Sequence, residues 1–218
     1  MYRRGIKRLL DFTLSGAILL ILSPLFLILA LLVAVFLGRP IFFKQERSGI
    51  NGKNFKMIKF RTMTEAKDEN GEMLPDEIRL TKFGRVLRST SLDELPELIN
   101  IICGDMSIVG PRPLPISYND YYTEKEKIRF VVRGGLIPPD SIDSSPIISW
   151  EKQFEYEVDY ARNLSFIKDV KIIIGVFRIL LKRNKENYGG FVRKSLNEER
   201  SSIRNKNILK GSDVLVRN

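Results

Sequence analysis

From Phe12 to Gly38 the chain carries no charged side chain and is built mostly of Leu, Ile, Val, Phe and Ala. About 20 such residues suffice to cross a bilayer, so this run predicts a membrane segment. It is too long for a signal peptide, and Gly38-Arg39-Pro40 follows it instead of a small-residue cleavage site. Arg3, Arg4, Lys7 and Arg8 precede the run, and Arg39, Lys44, Arg47, Lys53 and Lys56 follow it. Basic flanks belong on the cytoplasmic side, and one straight span cannot place both there. Ser23-Pro24 lies near the middle, where Pro deletes one backbone hydrogen bond and Ser can re-bond a freed carbonyl. A helix broken at Ser23-Pro24 that enters and leaves by one face meets both constraints; an ordinary kinked span is the competing reading. Asp11, at the boundary, is expected to pair with a neighbouring Arg or Lys or with the soluble part of the chain.

The 218 residues contain no His and one Cys, Cys103. That excludes Ser-His-Asp and Cys-His nucleophiles, histidine metal sites and multi-cysteine clusters, leaving carboxylate, Lys or Tyr chemistry. The formal charge of +10 favours polyanionic partners, and the apolar run selects phospholipid membrane and nucleotide phosphate over nucleic acid.

Beyond Gly38 the pattern predicts an α+β domain, mostly helical, with one short hairpin. Strands are expected at Pro40–Gln45 and Phe55–Met63 around the turn Ser48–Gly52, and a loop at Glu65–Pro75. Helices are expected at Ile78–Leu87, Leu92–Cys103 (stopped by Gly104), Tyr118–Val132 and Ile148–Arg162. Gly104–Pro115 reads as irregular because of its clustered prolines. Ser165–Arg183 reads as a basic amphipathic helix, suited to a membrane interface or to a core with one solvated face. The domain reading is 1–38 membrane helix, 39–183 catalytic domain and 184–218 a basic, mobile tail.

Asp93-Glu94 is the candidate for chemistry. Ser91-Leu92-Asp93-Glu94 also spells a capping box, which would make both acids a helix start. Arg79, Lys82, Arg85 and Arg88 lead into the pair and Arg112 follows between two prolines, more cations than two carboxylates require. At a helix N-terminus, surrounded by Arg and within reach of a divalent cation, a carboxylate is expected to have a lowered pKa and stay ionised as a nucleophile. Attack on a phosphoanhydride also needs Mg²⁺ and guanidinium groups against charge repulsion. Arg suits this because its planar fork binds phosphate through two N–H groups.

Three ordered blocks, Lys59-Phe-Arg-Thr-Met63, Arg88-Ser-Thr-Ser-Leu-Asp-Glu-Leu-Pro96 and Gly104-Asp-Met-Ser-Ile-Val-Gly-Pro-Arg-Pro113, resemble the small monotopic phosphoglycosyl transferases, also called bacterial sugar transferases. The likeness runs from Lys7-Arg8 to about Leu181. It implies transfer of a sugar 1-phosphate from a UDP-sugar to polyprenyl phosphate at the cytoplasmic face of the bacterial inner membrane, with release of UMP, at the start of glycan assembly. On the matching positions it implies Asp93 as nucleophile and Mg²⁺ ligand and Glu94 as its partner. Arg88, Arg112, Lys59 and Arg61 would bind phosphate, and Ser23-Pro24 would break a re-entrant helix. One stretch departs: where the family typically continues Pro-Gly-Ile-Thr-Gly-x-x-Gln-Val, this chain has Gly134-Gly-Leu-Ile-Pro-Pro-Asp-Ser-Ile-Asp-Ser-Ser-Pro146, where a sugar-nucleotide pocket would be completed. The alternative class is a non-enzymatic, membrane-anchored basic module for anionic lipid or nucleic acid, which would release no UMP.

Overall fold

The computed structural model describes residues 1–143, 145, 147–182 and 193–202. It opens with two apolar helices, α1 (Ile6–Ile21) and α2 (Ser23–Leu37), bent by 67° at Leu22. Pro24 has no N–H for the carbonyl of Leu20, and the Ser23 hydroxyl donates to that carbonyl instead, at 2.8 Å. Among the described residues no single helix is long and apolar enough to cross a membrane.

Both outer ends of the bent pair are tied to one body. Asp11 accepts from Ser107 Oγ (2.6 Å) and the Ile108 N–H (3.2 Å) and has Lys7 Nζ at 3.6 Å, so it meets both kinds of partner expected. Arg8 donates to the carbonyls of Ile101 and Ile102, and Lys7 reaches Asp169 at 2.7 Å. At the far end Leu29 and Val33 of α2 pack on Phe60 and Leu87. Leu27, Leu31, Val35 and Phe36 remain exposed on α2, and Leu9, Phe12, Leu20 and Ile21 on α1.

Strands β1 (Phe42–Ser48) and β2 (Asn54–Phe60) form the expected antiparallel hairpin, with Phe43 opposite Lys59 and Gln45 opposite Met57. Side chains alternate along a strand. Phe42 and Phe60 therefore stack together beneath Phe26 of α2, while the other face carries Phe43, Gln45, Arg47, Met57 and Lys59.

Several local expectations are corrected. The helix expected at Ile78–Leu87 is two, α3 (Asp76–Arg79) and α4 (Lys82–Ser89), because the Thr81 hydroxyl accepts from the Gly84 N–H (3.0 Å) and starts a new helix. The helix expected from Leu92 begins as a 3₁₀ turn, Leu92–Glu94, and becomes α5 (Glu97–Cys103) only after Pro96. Ser91 is left-handed (φ 56°) and accepts no capping bond, since an N-cap needs extended backbone to aim its hydroxyl into the first turn. The capping box at Ser91 is thus not formed.

The stretch from Gly104 is not irregular throughout: Met106–Val109 is β3, paired in parallel with β4 (Gly134–Ile137). Its prolines begin only at Pro111, past the strand. The pairing is close enough that a Cβ on Gly135 would lie 2.1 Å from the Gly110 nitrogen, so glycine is required there. Tyr118–Val132 is two 3₁₀ stretches, Ile116–Tyr121 and Glu126–Val131. They are separated by a genuine capping box in which Thr123 and Glu126 bond each other's backbone N–H groups (2.8 and 3.3 Å).

Helix α6 (Trp150–Arg162) starts on the Ser149 cap, and α7 (Phe166–Lys182) follows. Helix α7 buries Asp169 and Ile172 and leaves Phe166, Ile167, Ile174 and Phe177 exposed, so it has a core face and an apolar outer face. Of the segment read as a tail, 193–202 packs on α6 with Leu196 fully buried; the rest of 184–218 lies outside the described residues.

Candidate active site

The cavity face of the hairpin, the chain leaving β2 and the 3₁₀ turn at Leu92–Glu94 enclose a cleft of about 480 Å³. Asp93 lies in it, 8% exposed, with Arg88, Lys59 and Glu94. Arg88 Nε donates to Thr62 Oγ1 at 3.0 Å, which fixes the guanidinium while its other N–H groups have no protein partner among the described residues. A second cavity of about 260 Å³ adjoins the first and contains Arg112, Tyr118 and Trp150. Arg47, Met57, Lys59 and Glu94 line both.

Lys59 Nζ sits 2.6 Å from Glu94 Oε1 and 3.1 Å from Glu97 Oε1 and forms the divide. Burial alone would lower the Lys59 pKa, but Glu97 and Glu94 outweigh it and hold it above the usual lysine range. Burial pushes Glu97 up to about 7, against the pull of Lys59. Asp93 is also raised, by burial first, with Glu94 adding and Lys59 and Arg88 opposing. The protein's own cations alone do not lower the Asp93 pKa: removing a carboxylate from water outweighs cations that do not touch it.

Arg112 extends an exposed side chain, yet both its backbone polar groups are gripped from below. Its N–H donates to Glu157 Oε1 at 3.0 Å and its carbonyl accepts from Arg129. Glu157 and Arg129 are a buried ion pair, with Nε and Oε2 2.8 Å apart and poorly aligned for a hydrogen bond. The Arg61 guanidinium lines the cleft but also donates to the carbonyls of Leu37 and Arg39, so it ties the C-terminal end of α2 to the cleft wall. Ser23 and Pro24 sit at the bend, away from both cavities.

Two lining residues went unread. Arg47 lines both cavities, and its alternation with Phe43 and Gln45 on β1 was the available signal. Glu97 follows Glu94 by three residues, a spacing that brings side chains together on a helical turn. The rewritten stretch after Arg133 supplies β4 and places Gly135, Leu136 and Pro138 in the wall of the second cavity.

Among the described residues no group of three or more His, Cys, Asp or Glu side chains could cage a metal. Mg²⁺ needs no such cage, because one or two carboxylates plus substrate phosphates and water complete its shell. Asp93, buried beside Glu94 and in no ion pair among the described residues, fits that donor set.

A family model described as bacterial sugar transferase matches residues 2–183. The chain is 46% identical over 176 residues to EpsL of Bacillus subtilis (strain 168), an uncharacterized sugar transferase, covering 81% of this chain and 87% of that protein. It is 35% identical over 184 residues to the exopolysaccharide production protein ExoY of Rhizobium meliloti (strain 1021), covering 77% and 81%. The UDP-glucose:undecaprenyl-phosphate glucose-1-phosphate transferase of Klebsiella pneumoniae is 38% identical over 189 residues, which are 82% of this chain but only 41% of that longer protein.

Proposed function

The chain belongs to the bacterial sugar transferase family, and we propose that it moves a sugar 1-phosphate from a UDP-sugar to polyprenyl phosphate. UDP-glucose and undecaprenyl phosphate, from the names of relatives, are the first pair to test. The reaction opens exopolysaccharide or glycoconjugate assembly. The observation that carries the reading is Asp93 itself, a buried carboxylate with no ion partner among the described residues, facing a cleft that also holds Arg88 and Lys59.

In the first step a carboxylate oxygen of Asp93 attacks the phosphorus bearing the sugar, and the bond from that phosphorus to UMP breaks. In the second an oxygen of polyprenyl phosphate attacks the same phosphorus and frees Asp93. Arg88 and Arg112 hold the phosphate oxygens by charge-assisted hydrogen bonds. The Lys59–Glu94–Glu97 cluster keeps a cation beside the reacting phosphate. Mg²⁺ held by Asp93 and Glu94 would neutralise phosphate charge. A cation held beside Asp93 would draw its raised pKa back down, because a positive neighbour favours the carboxylate.

The reaction takes place at the cytoplasmic face of the plasma membrane, with α1 and α2 forming a re-entrant hairpin. At ~1.5 Å per residue neither arm reaches across a ~30 Å hydrocarbon core. Both outer ends are anchored to the same body, and exposed Leu, Val and Phe cover the arms between them. The apolar outer face of α7 adds a second contact with the interface.

The test uses the full chain in lipid nanodiscs, with a panel of UDP-sugars and undecaprenyl phosphate. Lipid-dependent UMP release is expected, and without acceptor a labelled donor should mark the wild type but not Asp93→Asn. The Asn variant should lose several orders of magnitude in turnover, because the covalent step has no substitute nucleophile. A folded Asp93→Asn protein turning over near the wild-type rate would overturn the mechanism.

A further inference from the structure

The residues that build the second cavity do not stand alone. Trp150, the only tryptophan in the chain, lines it at the start of α6 and packs edge to face on Tyr118, another lining residue (5.6 Å, 90°). The 193–202 segment, beyond the family-matched residues, grips Trp150 from outside. Trp150 Nε1 donates to the Lys194 carbonyl at 3.1 Å, and the Arg193 guanidinium lies 3.5 Å over the ring centroid.

Arg193 is itself held by donating to the Ile148 carbonyl (2.6 Å) and to Gln153 Oε1 (2.8 Å). The amide of Gln153 donates to Glu157 Oε1 at 3.1 Å, the oxygen that also receives the Arg112 N–H. One guanidinium therefore touches both the aromatic wall and the network that fixes Arg112. Leu196, buried among Leu114, Tyr122, Trp150 and Phe154, and Arg200, forked onto Glu126 at 2.7 and 2.8 Å, fasten the segment in place.

We propose that the second cavity, with Arg47, Arg112, Tyr118 and Trp150 in its wall, takes the donor nucleotide and that residues 193–202 form a clasp that shapes it, with Arg193 as a positioning residue acting through Trp150 and through Gln153–Glu157 on Arg112. Arg193 touches no reacting atom; it sets where the wall and the phosphate-binding arginine stand. Its loss should weaken donor binding and leave the covalent step at Asp93 alone. This inference rests on the proposed reaction for its donor, a uridine diphosphate ester.

The experiment compares wild type, Arg193→Ala and Arg193→Lys in nanodiscs, with UDP titrated against Trp150 fluorescence and KM and kcat measured for the active UDP-sugar. UDP should change Trp150 emission saturably in the wild type. In Arg193→Ala the free emission should shift to the red, and UDP affinity should fall and KM rise by about tenfold, with kcat within about twofold. The Lys variant, which keeps a cation over the ring, should recover part of the loss. Unchanged UDP affinity and KM in a folded Arg193→Ala protein would overturn the clasp, as would a fall in kcat and melting temperature with KM intact. If no UDP-sugar is turned over but UDP binds and Arg193→Ala weakens it, the clasp stands and the transferase reading fails.

Discussion

Replacing Glu157 by Gln keeps the shape of the side chain and removes its charge. In the native protein Glu157 is fully buried, and its two oxygens face Arg129 Nε, the Arg112 N–H and the Gln153 amide. A glutamine oxygen can keep the Arg112 N–H, but its NH₂ group would then confront Arg129, donor against donor. Arg129, 2% exposed, would be left as a buried cation without an anion. Breaking one side of a buried pair costs roughly 3–5 kcal/mol. The rings of Tyr122, Phe130 and Phe154, with centroids 5.3 to 5.6 Å from the guanidinium carbon, offset part of this through their electron-rich faces. A loss of about 3 kcal/mol is therefore expected, a large fraction of the ~5–15 kcal/mol typical of a folded domain. Urea unfolding followed by Trp150 fluorescence measures it. The pair Glu157→Gln/Arg129→Met should be more stable than Glu157→Gln alone, since it carries no stranded charge. It should not regain wild-type KM, because the Arg112 carbonyl has lost its donor. Stability of Glu157→Gln within about 0.5 kcal/mol of wild type would refute the reasoning.

Arg112→Lys keeps the charge and loses the fork, so kcat/KM should fall by at least about tenfold while the melting point holds, the backbone clamp being untouched; equal activity would return Arg112 to a surface role. Single cysteines at Gly5 and Lys44 in a Cys103→Ser background should both resist an impermeant thiol reagent in intact cells, and labelling of either would establish a spanning topology. Glu97, raised from its usual value to about 7 in the folded state, binds its proton more tightly there than when unfolded. Its contribution to stability is thus fullest below about pH 4.5 and is lost as pH rises through about 7. Glu97→Gln should flatten the fall in urea midpoint between pH 5 and 8, and an unchanged slope would assign that fall to another group.

What was legible in the sequence is what near neighbours decide. The uncharged run, its break at Ser23-Pro24, the alternating strands of the hairpin and the Gly104 helix stop depend on residues within a turn or two, where propensity and periodicity act directly. The motif around Asp93 was legible as a pattern, but the same letters spelled a capping box, and only the left-handed backbone at Ser91 separates the two. Arg61 and Arg88 read alike as cations near the acids; both line the cleft, but the fold ties Arg61 to the end of α2 and Arg88 to Thr62. The raised Asp93 pKa, the parallel pairing of β3 with β4 and the grip of 193–202 on Trp150 were likewise invisible. Each depends on which distant segments exclude water from a given atom, and burial and long-range pairing are set by chain elements far apart in the sequence.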